Sequence, residues 1–361
     1  MKPWIRRVLF IQMIPDIRTN KIAKALREQE IQTDLLYVSM HPAEVYRGYE
    51  LPYTNIYRIR TVKEIVDFVE RSPYDIVISC NEPDTISAAL VGCSKPMIHD
   101  CHDMMSLRGH ITNDQAILEF IANKYATGNI YVTERVKEIA IQKFGLDKKT
   151  VFLLDNYVLK EQLPSEAFSK LSDGDGEIHC VYQGGLTNRS DHHRFIEPMF
   201  LQMAQEHIHV HFYTPFQNDY YRSLEAQSDY LHWEGTREPN ELIREMTRYD
   251  AGLVLLNVTP HNRQFLDSTF PNKAWDYLAA GLPILCSHLT AFTQFIDSYP
   301  VGAVLNDAQS FRDQLQKVAS VSISKNFLTE HGFTMDDQIA GLRAYMEEII
   351  VMHTSRHRTS S

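Results

Sequence analysis

Residues 270–287 read FPNKAWDYLAAGLPILCS, and this stretch predicts three successive elements. Pro271 suits the first turn of a helix, where its missing N–H is not needed, and Gly281 can end that helix in a left-handed conformation. The apolar run 283–286 that follows has the length of a buried strand. The order is therefore helix, glycine turn and strand, which is the repeating unit of an α/β fold.

The start of this helix is predicted to bind an anion. Ser268 and Thr269 offer hydroxyl caps just before it, and its first turn carries N–H groups with a partial positive charge. Lys273 adds a full positive charge, and Asp276 lies three residues on, on the same face. Its carboxylate can accept hydrogen bonds from both hydroxyls of a sugar or ribose. The alternative is an ordinary amphipathic helix packed on a sheet.

The composition is that of a globular protein large enough for two domains. The chain has 361 residues, of which 44% are hydrophobic and 23% charged, so neither extensive disorder nor a membrane protein is expected. A formal net charge of -10 argues against a general nucleic-acid binder but allows a local basic pocket. The five cysteines have no paired metal spacing and predict reduced thiols.

The first residues superficially resemble an export signal, because basic residues precede a short apolar run. Gln12, Pro15 and Asp16 interrupt that run too early, so we expect a cytoplasmic protein. Further on, tyrosines interleave with arginines, which is typical of a peripheral membrane contact. Glu44 and Glu50 dilute this patch and favour a solvated loop. The patch comprises Tyr46, Arg47, Tyr49, Tyr53, Tyr57, Arg58 and Arg60.

Strands and helices alternate in both halves of the chain, which predicts two doubly wound, Rossmann-like sheets with a cleft between them. The polar, glycine-rich segment 171–176 is the predicted linker. Within it we interpret Asp173-Gly174-Asp175 as a solvated turn and not as a metal site. The predicted domains are residues 1–165 with a returning helix at 335–352, residues 177–334, and a flexible tail at 353–361.

In the first half, polar residues follow two predicted strands. Asp16 and Arg18 lie after the strand 8–14, at the edge where open α/β sheets bind ligands, although a surface ion pair is equally compatible. The run 99–103, HDCHD, follows another strand. Its His102 and Asp103 suit proton transfer or metal binding, and the alternative is that they cap and bridge loops.

In the second half, Gly184 and Gly185 follow the strand 178–182. Glycines there let backbone approach a ligand closely, and Arg189 has the forked donors that bind a phosphate. Three histidines alternate downstream along another predicted strand, at 207, 209 and 211. This alternation is typical of a half-buried strand, so we predict no metal site.

One group of residues resembles the donor-site helix of family-4 glycosyltransferases, which have the GT-B fold. These residues are Pro271, Asn272, Lys273, Asp276, Gly281 and Pro283. The resemblance covers nearly the whole chain and implies two Rossmann-like domains, with a C-terminal helix that crosses back onto the first. It also implies that Asp276 holds the nucleotide ribose and that the helix start faces the diphosphate.

The resemblance further implies a retaining, hexosyltransferase-like glycosyltransferase of glycan biosynthesis that needs neither metal nor cofactor. The donor would be a nucleotide-diphosphate sugar, with UDP the commonest nucleotide in the family, and the acceptor a glycan, lipid-linked, protein or small-molecule hydroxyl. Arg189 and Lys273 would stabilise the departing diphosphate, and His102 with Asp103 would contact the sugar or acceptor. The other implied donor-side residues are Gly184, Gly185, Ser268, Thr269 and Asn272, and the acceptor-side residues are Asp16 and Arg18.

The sequence departs from the family pattern in three places. Ser268 stands where many members have a glutamate that touches the donor sugar, the loop at Asp16 lacks glycines, and no lysine follows Arg189 closely. Two alternatives therefore stay open. One is a nucleotide-sugar epimerase or hydrolase on the same fold, which would act without an acceptor. The other is a noncatalytic GT-B subunit that stabilises a partner transferase.

Overall fold

The computed structural model describes residues 4–45, 48–109 and 111–359, without the side chains of 356–359. The chain forms two compact units. Unit 1 comprises Met1–Leu159 with Thr334–Ser361, and unit 2 comprises Lys160–Phe333. Tyr46 and Arg47 of the aromatic and basic patch lie outside the described residues.

Unit 1 is built on a seven-stranded sheet in the order β3-β2-β1-β4-β5-β6-β7. All its paired strands are parallel. The strands are β1 Arg7–Gln12, β2 Gln32–Tyr37, β3 Ile56–Arg58, β4 Ile76–Cys80, β5 Met97–Cys101, β6 Gly128–Tyr131 and β7 Val151–Leu153. The central ones are buried along nearly their whole length, because helices cover both faces of a parallel sheet.

Helices connect these strands. They are α1 Ile17–Glu28, α2 Pro42–Val45, α3 Val62–Arg71, α4 Thr85–Leu90, α5 Met105–Arg108, α6 Asn113–Tyr125 and α7 Glu134–Phe144, with a 3-10 helix at Lys148–Thr150. The sequence predicts that Thr133 caps a helix over 134–144 that ends at Gly145. The structure confirms this, since Thr133 accepts from the Val136 N–H at 3.2 Å and Gly145 ends α7 in a left-handed conformation. The sequence also predicts a helix over 20–29, but α1 begins at Ile17, because Asp16 caps it by accepting from the Thr19 N–H at 2.7 Å.

Unit 2 repeats the plan with a six-stranded parallel sheet in the order β10-β9-β8-β11-β12-β13. Its strands are β8 Ile178–Gln183, β9 Ile208–Tyr213, β10 Leu231–Gly235, β11 Ala251–Val254, β12 Ile284–Cys286 and β13 Gly302–Val304. Its helices are α8 Ser172–Asp175, α9 Glu197–Gln205, α10 Asp219–Glu225, α11 Pro239–Met246, α12 Arg263–Leu266, α13 Asn272–Ala279, α14 Thr290–Ser298, α15 Phe311–Ala319 and α16 Phe327–Glu330, with a 3-10 helix at Lys160–Gln162. The predicted α/β class with two doubly wound sheets is confirmed.

The predicted linker 171–176 is wrong, since the units divide between Leu159 and Lys160. The segment forms α8 and is bonded to the rest of unit 2. The Leu171 N–H donates to the Arg248 carbonyl at 2.9 Å, and the Ser172 hydroxyl donates to Asp250 at 2.7 Å. The composition of residues 171–176 predicts a solvated connection, but these hydrogen bonds hold the segment against unit 2, just before β8 in the chain.

The last helix, α17 (Met335–Thr359), returns to unit 1 as predicted. Its Tyr345 hydroxyl donates towards the carbonyls of Asn129 and Thr150, at 3.1 and 2.7 Å, and accepts from the Asn129 N–H at 2.8 Å. A side chain at Gly128 would collide with Tyr345 and Ile349. The helix therefore packs directly on the edge of the sheet.

The tail predicted as flexible from residue 353 instead continues α17 through Thr359. The hydroxyls of Thr354 and Ser355 donate to the carbonyls four residues earlier, at 2.8 and 2.9 Å, so these polar side chains are compatible with a helix. Residues 360 and 361 lie outside the described residues. Among the described helices, none combines the length and the apolar character that crossing a bilayer requires.

Candidate functional site

The predicted donor-side residues of unit 2 lie at the carboxyl ends of its strands. Chain order reverses in the sheet between β8 and β11, and open α/β sheets bind ligands at such a switch point. The buried Tyr277 of α13 spans this point. Its hydroxyl accepts from the Gln183 N–H at 2.7 Å, at the end of β8, and donates to the Leu253 carbonyl of β11 at 3.4 Å. Helix α13 is thereby held across the switch point.

The start of α13 differs from the prediction in its capping. Pro271 is the N-cap and makes no side-chain cap. The predicted caps are wrong, because the Ser268 and Thr269 hydroxyls donate to the carbonyls of Phe265 and Leu266, at 2.7 and 3.2 Å. Both hydroxyls therefore close the preceding helix α12. Pro271 supplies no side-chain cap to α13, and the N–H groups of the first turn carry a partial positive charge.

Lys273 is the most unusual ionisable group of this site. Its ammonium lies over the ring of Tyr182, 3.7 Å from the ring centroid, and no carboxylate pairs with it among the residues that the structure describes. Burial, and then the positive charge of Arg194, hold the Lys273 pKa well below its usual range. An anion bound here would compensate a charge that the protein itself leaves unbalanced.

The backbone at residues 184–185 completes the surroundings of this lysine. Gly184 has a φ of +134°, and a Cβ there would lie 3.4 Å from both Lys273 Nζ and Tyr182 Oη. A Cβ at Gly185 would lie 3.2 Å from Arg194 Nη1, while the Tyr182 hydroxyl donates to the Gly185 carbonyl at 3.2 Å. The glycines therefore bring bare backbone between two cations, as a phosphate site requires.

Replacing Gly184 with alanine tests this arrangement. We expect Gly184→Ala to weaken UDP binding at least about tenfold, because the new methyl group occupies the space beside the ammonium and a non-glycine residue at this φ adds about 1–3 kcal/mol of backbone strain. The control is Gly281→Ala, which has a φ of +72° but meets no atom within 4 Å. It also places alanine at a positive φ, and it should leave UDP affinity unchanged in calorimetry. Equal affinity losses in both variants would contradict the prediction.

Arg189, the predicted partner of Lys273, is directed elsewhere. Its guanidinium pairs with Asp191 at 2.9 Å, and both side chains are largely exposed. Arg194 is the cation that lies beside Gly185 and acts on Lys273. Sequence reasoning missed it, although Arg194 is the next cation after Arg189 in the chain. The signal was present, but loop geometry decided which arginine lies beside Gly185.

Asp276 shares the open face of α13 with Lys273, while the opposite face is buried. Its Oδ2 accepts from Gln183 Nε2 at 2.9 Å. The Oε1 of Gln183 is buried and has no hydrogen-bond partner among the described residues. Asp267 is adjacent to Ser268 in sequence, and we predict that it points away from the donor side. In the structure it accepts from the Thr290 N–H at 2.9 Å and pairs with Arg263. Asn272 is exposed at the helix start.

In unit 1 the structure brings together two of the predicted polar residues. His102 Nε2 lies 3.6 Å from Asp16 Oδ2, and both residues follow strands at the same edge of the sheet. Asp103 does not join them, because its carboxylate accepts from Arg108, which also pairs with Glu82 at 2.5 Å. His102 and Asp16 therefore form a local pair, and Asp103 belongs to a separate ion network.

Arg18, predicted on the acceptor side, is buried. Its Nε and Nη2 donate to the Asp100 carboxylate at 3.0 Å, and its Nη1 donates to Asn156 at 2.9 Å. Burial is the largest single influence and would raise the Asp100 pKa, but the charge and hydrogen bonds of Arg18, together with His102 and His99, outweigh it and lower that pKa. All three guanidinium nitrogens are occupied within the core of unit 1, so Arg18 has a structural role there.

Comparison with known proteins agrees with this architecture. Residues 193–327 match the family described as "Glucosyltransferase 3-like, C-terminal domain". Solved structures share the fold over nearly the whole chain at low identity. A glycosyltransferase from Rickettsia africae ESF-5 is 10% identical, with a TM-score of 0.68, 96% of this chain and 99% of that chain covered. None of the curated proteins compared with this chain matches it in sequence.

Two further structures have nucleotide-sugar ligands or substrates in their names. Anabaena Alr3699/HepE in complex with UDP is 13% identical, with a TM-score of 0.64 and coverage of 98% of this chain and 99% of that chain. UDP-N-acetylglucosamine 2-epimerase from Rickettsia bellii is 11% identical, with a TM-score of 0.56 and coverage of 98% and 97%. The chain thus has the GT-B fold of these structures, and its residues 193–327 are similar to a glucosyltransferase 3-like C-terminal domain.

Proposed function

We propose that this protein is a retaining glycosyltransferase that moves a sugar from a nucleotide-diphosphate sugar to an acceptor hydroxyl. The observation that carries the proposal is Lys273, a cation without a carboxylate partner in the described residues, held over Tyr182 at the uncapped start of α13. The bare backbone of Gly184 lies beside it. Together these groups suit a diphosphate.

The chemistry needs stabilisation of the leaving group. The bond between the anomeric carbon and the diphosphate oxygen breaks, and its electron pair goes to the diphosphate. The acceptor oxygen forms the new bond, and its proton passes to the departing diphosphate oxygen. Negative charge grows on the diphosphate in the transition state, and fixed cations and N–H groups stabilise it there. We assign this role to Lys273, to Arg194 in place of Arg189, and to the α13 N-terminus. No metal ion takes part in this step.

The remaining residues position the donor and acceptor. Asp276 is proposed to hold the ribose hydroxyls, with Gln183 Oε1 as a second acceptor beside it. Because Alr3699/HepE is solved with UDP and with UDP-glucose, we propose a UDP-sugar donor. On unit 1, Asp16 and His102 are the proposed acceptor-side group. The five buried, unpaired cysteines support a reducing, cytoplasmic location.

Asp276→Asn should weaken UDP binding by about 10- to 100-fold, because a charged acceptor contributes about 1.5–3 kcal/mol per hydrogen bond. A thermal-shift panel with uridine, guanosine, adenosine and cytidine diphosphates, with and without chelator, measures this. We expect UDP alone to raise the melting temperature, with no effect of chelator. Asp267→Asn is the control, since its carboxylate is engaged by Thr290 and Arg263. Stabilisation of Asp276→Asn equal to that of the wild type would contradict the assignment.

The products formed from nucleotide-sugar donors distinguish a glycosyltransferase from an epimerase, a hydrolase or a noncatalytic subunit. Incubation with UDP-glucose and a panel of hydroxyl acceptors should yield UDP and a glycosylated product with the donor's anomeric configuration. Conversion of UDP-N-acetylglucosamine to its epimer without acceptor would favour an epimerase, an alternative supported by the similar fold of the R. bellii enzyme. UDP release without product would indicate a hydrolase. Failure to bind any nucleotide would favour a noncatalytic subunit, for which Ser268 at the glutamate position is the sequence argument.

A further inference from the structure

Four histidines of unit 2 form a cluster that the proposed function does not use. They are His179 of β8, His209 and His211 of β9, and His232 of β10. His179, His209 and His232 are each the second residue of their strand, and His211 is the fourth of six in β9. All four precede the carboxyl ends of the strands, where Gln183 and Gly184 lie. Their rings stack across the three strands, with centroids 4.3 Å apart for His179 and His209 and 4.4 Å apart for His211 and His232.

Three carboxylates surround these rings, each bonded to one histidine. Asp175 Oδ2 lies 2.9 Å from His179 Nε2, and Glu177 Oε2 lies 2.7 Å from His209 Nε2. Glu234 Oε1 lies 2.8 Å from His211 Nδ1. Two histidine–histidine contacts complete the network, from His179 Nδ1 to His211 Nε2 at 2.9 Å and from His209 Nδ1 to His232 Nε2 at 2.8 Å.

Asp175, His179, His211 and Glu234 form a series of three hydrogen-bonded contacts, and each contact needs one hydrogen. Each ionised carboxylate needs a hydrogen on the nitrogen that faces it, and the contact between the two rings needs a third. Two neutral imidazoles carry only two hydrogens. The network is therefore short of one positive charge, which either an extra proton or a metal ion would supply.

An extra proton would place the charge on His179 or His211, which are both buried. A metal ion on His179 Nε2 would place it next to the exposed Asp175 carboxylate instead. His179 Nδ1–H then donates to His211, and His211 Nδ1–H donates to Glu234, so that every contact carries one hydrogen. Metal-bound histidines commonly donate their other N–H in this way.

We propose that Asp175, His179 and His209, with Glu177 as the fourth ligand, bind a divalent transition-metal ion of the zinc class. The ligand atoms of the first three lie within 4.8 Å of one another. Two imidazole nitrogens and two carboxylate oxygens are a ligand set that zinc accepts in tetrahedral geometry. Side-chain rotations would close the remaining distances, since Asp175 is exposed and Glu177 only partly buried.

A second group, Asp16, Cys80 and His102 of unit 1, has similar spacing but suits a metal less well. Cys80 is buried, and burial raises the pKa of its thiol well above the usual value, whereas a metal needs the thiolate. The Thr19 hydroxyl also contacts its sulfur at 3.2 Å. The site in unit 2 is therefore the one we assign, which departs from the sequence-based prediction of no metal site.

Titration of the metal-free full-length chain with Zn²⁺ by calorimetry tests the proposal, together with the visible absorption of Co²⁺ in a tetrahedral site. We expect one equivalent per chain and a raised melting temperature. Asp175→Asn and His209→Gln should each weaken binding about 10- to 100-fold or more, since each removes or neutralises a ligand. Asp175 is exposed, so its variant keeps the test independent of folding.

His207→Asn is the control, because His207 bonds to Tyr230 at 2.8 Å instead of joining the cluster and has a φ of +57° that asparagine tolerates. It should bind zinc like the wild type. Lys273→Met should also bind zinc normally, which separates this site from the donor site. Absence of stoichiometric binding, or equal binding in the wild type and both ligand variants, would overturn the proposal. So would an imidazolium observed by NMR in the zinc-treated protein.

Discussion

We expect Lys273→Met to lower the rate of the proposed glycosyl transfer by about 100- to 1,000-fold, the usual effect of removing one group that stabilises transition-state charge. UDP affinity, which needs no acceptor, should fall by about 10- to 100-fold, since a charged hydrogen bond contributes about 1.5–3 kcal/mol. The physical reason is that the Lys273 ammonium has no carboxylate partner among the described residues and faces the backbone of Gly184. Calorimetry with UDP and donor-turnover assays measure the two effects.

The same variant should be more stable than the wild type in the absence of nucleotide. Folding lowers the Lys273 pKa, so between the folded and unfolded pKa values the unfolded chain binds more protons, and stability of the wild type rises with pH. At pH values below the folded-state pKa of Lys273, the free energy of unfolding is reduced by the full cost of burying this unpaired charge. We therefore expect Lys273→Met to have a higher melting temperature than the wild type at pH 7 in the absence of nucleotide.

This combination distinguishes a functional charge from a structural one. Arg189→Met is the control, because the exposed pair of Arg189 with Asp191 contributes little to stability, and its loss should leave UDP affinity nearly unchanged. If Lys273→Met destabilises the protein and binds UDP as the wild type does, the lysine is a packing residue and the assignment fails. If Arg189→Met loses UDP binding instead, the sequence-based choice of arginine was right.

Arg18→Met destabilises the protein by about 3–5 kcal/mol, the usual cost of leaving one partner of a buried ion pair uncompensated. Asp100 is fully buried and receives two hydrogen bonds from Arg18. Chemical denaturation should show this loss. The double variant Arg18→Met/Asp100→Asn should recover much of it, because no charge is then buried without a partner.

The pH dependence of stability should change sign in the single variant. In the wild type, Arg18 lowers the Asp100 pKa, so this carboxylate adds stability above its unfolded pKa, and that stability is lost as the pH falls through the folded pKa. Without Arg18, burial raises the folded pKa above the unfolded one, although His102 and His99 still oppose this. The free energy of unfolding of Arg18→Met should then decrease as the pH rises from the unfolded-state pKa of Asp100 to its folded-state pKa. If the free energies of unfolding of the wild type and Arg18→Met change with pH in parallel, Arg18 does not determine the charge of Asp100.

Several features followed from the sequence alone because they depend on local rules. Alternating apolar runs and helical periods predicted two parallel α/β units, and Gly281 ends α13 in the predicted left-handed conformation. Three-residue spacing put Lys273 and Asp276 on one helix face. The preference of Thr133 for a helix N-cap was likewise local, and the structure confirms it.

Other features depended on contacts between residues distant in sequence, and only the tertiary structure decided them. Arg18 is 82 residues from Asp100, so its burial was invisible in a local pattern. The choice of Arg194 over Arg189 depends on the course of one loop after β8. The histidine cluster needs three adjacent strands in register, of which the sequence displays only the alternation along one. Local sequence specifies which groups an element presents, whereas strand order and packing decide which of them meet.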